Sequence, residues 1–275
     1  MIKTLKNLLK QDKERYTVPR KVQDVIPVRR IWPDGIFLVG NKFSKTYKFS
    51  DINYLVASRE DKESMFLTYS ELLNSLDSGA VTKITINNRR MNQANFETSI
   101  LMPMQGDFRD EYRGEYNQML LDKATGANGI MQEKYITISV VKKDVEEARA
   151  YFSRVGADLI SHFAALGSKC VELDATERLR ILHDFYRQGE ESEFVFNARE
   201  MMKRGHSFKD YICPDSLEFE SDYFKIGNRY GRVIFLREYA SYIKDSMVAE
   251  LTDMNRNLMM SIDICLLYKS DAADD

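Results

Sequence analysis

The apolar residues between positions 45 and 173 change repeatedly from the spacing of a strand to that of a helix. In Val81–Asn88 apolar and polar residues alternate, which predicts a strand. Between Ser58 and Gly79 the apolar residues recur at steps of three and four, which predicts an amphipathic helix that the serine caps and the glycine ends. The apolar face of this helix is expected to contain Met65, Phe66, Tyr69, Leu72, Leu73 and Leu76.

A similar unit follows later in the chain. The β-branched run Lys134–Lys142 predicts a central strand, and Asp144 opens a long amphipathic helix. Lys169–Leu173 predicts a short strand, after which Asp174 caps another helix. An inserted helix starts at about Asp107, and its apolar face is expected to contain Phe108, Tyr112, Met119 and Leu120.

The order strand, helix, strand, inserted helix, strand, helix, strand is that of the split βαβ, or ferredoxin-like, arrangement. We therefore predict an α+β (α/β) lobe over residues 31–189, with one antiparallel sheet. Its helices are expected on one face of the sheet, because that arrangement buries the apolar stripes of both amphipathic helices at once.

Residues 190–264 predict a second, β-rich lobe. Ser216–Lys225 and Arg232–Tyr239 resemble the two strands of a hairpin around the turn Gly227–Gly231. A strand is expected at Asn257–Ile264 with no partner after it, so this lobe is predicted to be incomplete. Cys265–Asp275 resembles the translated read-through of a transposon sequencing adaptor, and we expect this tail to be non-native.

The first 30 residues carry nine basic and three acidic side chains, a net charge of +6 that leaves −8 for the other 245 residues. Apolar residues at helical spacing among lysines predict a basic amphipathic arm, followed by an extended linker around Pro19 and Pro27. Such a helix binds an anionic membrane surface or a partner protein; the alternative is a frayed, solvated terminus. The contact residues are expected to be Lys3, Leu5, Lys6, Leu8, Leu9, Lys10 and Lys13.

The sequence predicts no catalytic, cofactor-binding or metal-binding residue. It contains no phosphate-binding G-x-x-x-x-G-K-[ST] motif, and Gly227–Gly231 fits a hairpin turn better than a phosphate cradle. The three cysteines are far apart with no C-x-x-C, and the three histidines lack metal-ligand spacing. His183 beside Asp184 could form a nucleophilic group with Cys170, but we favour a half-buried helix histidine, since adjacent helix residues point in different directions.

A cluster of aromatic residues suggests an alternative function. Arginines at positions 229, 232 and 237 accompany the aromatic side chains, and together they could stack and neutralise a nucleic acid. We favour packing in a sheet, because only these three arginines are near and no RNP-type pattern is present. The acidic body of the chain also disfavours a nucleic-acid-binding module, since phosphate contacts dominate such affinities. The aromatic residues in question are Tyr230, Phe235, Tyr239 and Tyr242. A stand-alone nucleic-acid-binding module therefore remains the alternative.

Four stretches together resemble one protein family. They are Val22–Gly40 (VQDVIPVRRIWPDGIFLVG), Lys45–Arg90 (which begins KTYKFSDINYLVASRED), Glu115–Asn128 (EYNQMLLDKATGAN) and Gly231–Ile264 (which begins GRVIFLREYASYIKDSM). These stretches are similar to the N-terminal region of the conjugal-transfer ATPases of type IV secretion systems, the VirB-four class, in versions from integrative conjugative elements of Gram-positive bacteria. The similarity runs along residues 1–264 and contains no catalytic motif.

The resemblance implies a function in assembly. In that family an α/β N-terminal domain docks on membrane-embedded channel subunits, and a C-terminal RecA-like domain binds ATP and Mg²⁺, hydrolyses ATP and self-associates. No Walker residue can be carried over, so the chain is expected to be a non-catalytic fragment, truncated before the ATPase domain, without cofactor or small-molecule substrate. We expect it in the cytoplasm, peripheral to the cytoplasmic face of the membrane, in conjugative DNA transfer by a mobile element.

Overall fold

A computed structural model describes residues 19–54, 56–77, 79–90, 101–126, 130–238, 241–242 and 244–264. In these ranges the α-helices are α1 (Val22–Val25), α2 (Arg59–Asn74), α3 (Asp110–Gly126), α4 (Val145–Ala165), α5 (Ala175–Tyr186), α6 (Ala198–Arg204) and α7 (Asp245–Thr252). The strands are β1 (Val28–Ile31), β2 (Phe37–Val39), β3 (Lys42–Phe49), β4 (Ala80–Arg90), β5 (Ile130–Val141), β6 (Cys170–Glu172), β7 (Leu217–Phe219), β8 (Phe224–Ile226), β9 (Arg229–Gly231) and β10 (Leu258–Ile264). Short 3-10 helices cover Glu191–Glu193 and Phe208–Tyr211.

Most of the strands form one antiparallel sheet in the order β1–β2–β3–β5–β4–β10, and β6 pairs with β3 beyond the end of β2. The four strands of the predicted double unit are neighbours in the order β6–β3–β5–β4, and every pair among them is antiparallel. The α+β class is confirmed. The ferredoxin-like arrangement as a whole stays a prediction, since β1, β2 and β10 widen the sheet.

Both faces of the sheet carry helices. Leu72 of α2 and Phe152 of α4 pack with Tyr47 and Ile138 of the central strands, in what we call the helix-side core. On the opposite face, Arg178 of α5 donates to the side chain of Ser44. The expectation of helices on one face is therefore wrong for α5. Leu179 of this helix packs with Phe37 of β2 in a second apolar core, and periodicity does not detect such a long-range contact.

The inner faces of two helices differ from the prediction. Leu72 of α2 and Leu76, just after the helix, are buried as expected, whereas Phe66 of α2 is exposed. In α3, Tyr112 and Met119 are exposed. Most of the predicted apolar face of the inserted helix is therefore exposed, and only Leu120 of that set is half-buried. Phe108, before the helix, is exposed as well.

A second core joins distant parts of the sequence. Ile26 and Val28 pack with Leu179 of α5 and with Ile212 and Cys213. Residues 22–30, expected to belong to an extended linker, instead contain α1 and most of β1, because apolar side chains such as Ile26 and Val28 are buried in this core. The prediction of a linker is wrong over these residues.

The last described strand belongs to the main sheet. β10 pairs with β4 in an antiparallel register that places Ile262 opposite Ile84. The expectation of a strand without a partner is therefore wrong, since residues 258–264 extend the sheet of the first lobe. The division of the chain into lobes at residue 189 stays a prediction, and the tail 265–275 lies outside the described residues.

Candidate docking surface

The residues predicted to contact a membrane or a partner are Lys3, Leu5, Lys6, Leu8, Leu9, Lys10 and Lys13, and all of them lie outside the described residues. Among the described helices, none combines the length and the hydropathy that crossing a membrane requires. The described side chains also include no group of three or more His, Cys, Asp or Glu residues that could hold a metal ion.

An uninterrupted run of large apolar side chains is exposed after the hairpin β8–β9. Val233, Ile234, Phe235 and Leu236 have fractional exposures of 77%, 85%, 80% and 69%. We call Val233–Leu236 the apolar segment. The prediction that Arg232–Tyr239 forms the second strand of the hairpin is wrong over the described residues 232–238. The second strand of the hairpin is β9, which ends at Gly231.

The aromatic residues of this region are exposed rather than packed in a sheet. Tyr230, Phe235 and Tyr242 all present most of their surface to solvent. The ring centroid of Tyr230 lies 5.6 Å from that of Tyr223 and 5.9 Å from Nζ of Lys225 on the neighbouring strand β8. The preference for sheet packing is therefore wrong for Phe235 and Tyr242, whereas Tyr230 lies in strand β9 with its ring largely exposed. Tyr239 lies outside the described residues.

A cleft of about 560 Å³ separates the end of α5 from the hairpin β8–β9. One of its walls is fixed by Arg187, whose guanidinium donates to Glu190 at 2.6 Å, to the carbonyl oxygen of Cys213 at 2.6 Å and to Asp215 at 3.0 Å. The opposite wall is formed by the hairpin, from which Arg229 reaches Gln188 at 3.4 Å. The contact between Arg229 and Gln188 connects the hairpin to the residues just after α5.

The polar face of the main sheet contains a partly buried group of charges that the sequence did not reveal. The Glu133 carboxylate accepts hydrogen bonds from Lys48 at 2.5 Å and from the Tyr135 hydroxyl at 2.8 Å. Arg89 lies 3.2 Å from Glu133 and donates to Asp184 at 2.7 Å. Burial raises the pKa of Glu133, but the hydrogen bond from Lys48 and the charge of Arg89 bring that pKa below its usual value. Because each charge is paired, we interpret this group as structural.

The histidine next to this group also differs from the prediction. His183 is fully buried rather than half-buried, and its Nδ1 lies 3.4 Å from an oxygen of the adjacent Asp184. The two side chains therefore do meet, but the same carboxylate already pairs with Arg89. Cys170 packs in the helix-side core, and burial raises the pKa of its thiol to about 11. These residues do not form a nucleophilic site.

No protein-family model matches this sequence, and a search of the curated proteins gives no match to it.

Proposed function

We propose that the chain is the N-terminal assembly and docking domain of a type IV secretion ATPase in conjugative DNA transfer. In this proposal it is truncated before the RecA-like domain and is not catalytic. ATP and Mg²⁺ belong to the domain that is missing, so the chain alone binds neither. Its partners are channel subunits at the inner face of the membrane and, in the full-length protein, other copies of the ATPase.

The observation that carries this proposal is the exposed apolar segment. Continuous apolar runs are typical of strands that are covered on both faces. Val233–Leu236 has the composition of such a strand, yet all four side chains are exposed in the described chain. Apolar patches of this kind mark contacts with another protein more often than they remain in water. The segment also lies within Gly231–Ile264, one of the stretches that carry the resemblance.

A second feature supports a role in assembly. β10 uses one side for β4, and no described strand pairs with its other side. Unpaired edge strands are templates for pairing with another chain. Ile262 on this strand is also exposed.

A nucleic-acid-binding module is the second candidate, and the exposed aromatic side chains favour it. Bases could stack on Tyr230, Phe235 and Tyr242, with Arg232 and Arg237 close in sequence to neutralise phosphates. The aliphatic side chains of Val233, Ile234 and Leu236 are poor partners for a phosphate backbone, and the whole chain carries a net charge of −2. We therefore favour docking on a protein.

The test of the proposal is binding to membranes from isogenic cells that carry or lack the integrative conjugative element from which the gene derives. We expect the amount of purified protein that co-sediments to be at least about tenfold larger with the element-bearing membranes than with the membranes that lack the element. A tenfold difference requires only about 1.4 kcal/mol of additional binding free energy. Replacing Ile234 and Phe235 by Asp should abolish the difference. The matched control is Val195→Asp, because Val195 is 75% exposed and lies outside the apolar segment.

Equal binding to both kinds of membrane would contradict the proposal. Binding to neither, with tight and salt-sensitive binding to single-stranded DNA in a mobility-shift assay, would favour the nucleic-acid-binding module instead.

A further inference from the structure

One side of helix α3 carries exposed apolar side chains next to exposed acidic ones. Tyr112, Tyr116 and Met119 recur at steps of four and three, so they form one row along the helix, and their fractional exposures are 68%, 43% and 42%. An acidic row lies directly beside this apolar row, and none of its members forms an ion pair with a residue that the structure describes. The acidic residues are Glu111, Glu115 and Asp122. We call the two rows together the α3 stripe.

The opposite side of α3 is already occupied by the loop that precedes the helix. Arg113 donates to Asp107 at 2.5 Å. The side chain of Asn117 accepts from the backbone N–H of Met102 at 2.8 Å and donates to its carbonyl oxygen at 2.9 Å. These contacts hold the loop on that side of the helix and leave the α3 stripe open to another partner.

The basic arm at the start of the chain has the complementary pattern in its sequence. Ile2, Leu5 and Leu9 recur at steps of three and four, which predicts one apolar row along a helix. A basic row lies directly beside it in that helix. The basic residues are Lys3, Lys6, Lys10 and Lys13. The arm therefore combines an apolar row with a basic row, where the α3 stripe combines an apolar row with an acidic one.

The order of the rows predicts the direction of a contact between these two helices. In α3 each glutamate comes one position before a tyrosine of the apolar row, whereas in the arm a lysine comes one position after each apolar residue of the row. When two helices face each other, the left side of one meets the right side of the other. The acidic and basic rows therefore lie on the same side of the contact only if the helices are parallel, as at the e and g positions of parallel coiled coils.

We propose that the basic arm packs as a parallel helix on the α3 stripe of the same molecule. The two apolar rows cover each other, and the lysines pair with the acidic row. An isolated helix as short as the arm is marginal in water, so a partner helix favours its formation. The matching rows belong to one chain, and the tether between them raises the effective concentration of the arm. A bound arm cannot present the same lysines to a membrane.

Carbodiimide cross-linking of the full chain tests this contact, because the reagent joins a lysine to a carboxylate without a spacer. An equal mixture of unlabelled and isotope-labelled protein separates links within one molecule from links between two. We expect links within one molecule from the arm lysines to the acidic row, with later lysines joined to later acids. Their yield should be at least about tenfold higher than that of links to Glu220 and Asp222, which are exposed acids far from α3 in sequence.

A variant that keeps every cross-linkable group gives the decisive comparison. Tyr112→Ser together with Tyr116→Ser removes most of the apolar row of α3 and leaves all lysines and carboxylates in place. The yield of links between the arm and α3 should fall at least about fivefold, because the apolar contact that holds the arm is lost. The matched control is Phe66→Ser, since Phe66 is 66% exposed and lies on α2. This control should leave the yield unchanged.

Links to Glu220 and Asp222 as frequent as those to the acidic row would overturn the proposal, as would an unchanged yield in the tyrosine variant. Links in the reverse order would show an antiparallel contact, and links mainly between molecules would identify a second copy as the partner; either result contradicts the proposal. If no such links form and the protein co-sediments with anionic vesicles, the arm binds a membrane and the proposal is wrong. The proposed docking on a conjugation channel rests on the apolar segment and not on these helices, so the two proposals fail independently.

Discussion

Gly35→Ala is expected to lower the free energy of unfolding by about 2–4 kcal/mol, as the sum of a left-handed backbone and an overpacked contact. Gly35 has a φ of +78°, and a Cβ added there would lie 2.0 Å from the carbonyl oxygen of Leu173. That carbonyl cannot retreat easily, because the amide of Leu173 donates to Thr46 at 3.0 Å and Asp174 caps α5 directly after it. Urea denaturation measures the effect.

The matched control is Gly40→Ala. Gly40 has a φ of +60°, but a Cβ added there would meet nothing within 4 Å. Both variants therefore carry the backbone penalty, but only Gly35→Ala adds a steric clash. We expect Gly40→Ala to lower the free energy of unfolding by only about 1 kcal/mol. Equal losses for the two variants would show that β2 and the start of α5 are not in close contact.

Arg178→Met is expected to cost about 2–4 kcal/mol of unfolding free energy, because the buried acceptors lose hydrogen bonds from a charged group. One guanidinium nitrogen donates to the carbonyl oxygens of Gly35 and Ser44, each at 2.7 Å, and the guanidinium lies 4.0 Å from the ring centroid of Phe37. Burial lowers the pKa of Arg178 to about 9, so the side chain is still charged at neutral pH.

The control for this variant lies on the same helix. Arg180 is exposed, and its guanidinium lies 5.7 Å from the ring centroid of Phe194. Arg180→Met should therefore cost less than about 1 kcal/mol. Urea denaturation of both variants would refute the role given to Arg178 if the two losses are the same.

The local signals in the sequence predicted the boundaries of several elements well. Ser58, Asp144 and Asp174 were expected to start helices, and each accepts a hydrogen bond from a backbone amide in the first turn. These predictions succeeded because a cap depends on residues only three positions apart. The alternation in β4 was equally local, since neighbouring side chains in a strand point to opposite faces.

The predictions that were wrong concern contacts between residues that lie far apart in the sequence. The sequence does not reveal that α5 lies on the polar face of the sheet, because its contacts with Gly35 and Ser44 are separated by more than 130 positions. The partner of β10 was missed for the same reason, since β4 lies far earlier in the chain.

The candidate docking surface lies within Arg232–Tyr239, which was predicted as a hairpin strand, whereas the structure ends that strand at Gly231. The run Val233–Leu236 fits a buried strand by composition, and composition does not say whether the covering surface lies in the same chain. The structure shows that all four side chains of this run are exposed to solvent, which the sequence alone could not indicate.

Sequencing the source DNA across the codon of Ile264 tests the central claim most directly. If the chain is the N-terminal part of a conjugation ATPase, the same reading frame should continue past this codon and encode a G-x-x-x-x-G-K-[ST] motif in a RecA-like domain. A native reading frame that continues without any such motif, or that encodes Cys265–Asp275 and then ends, would contradict the account.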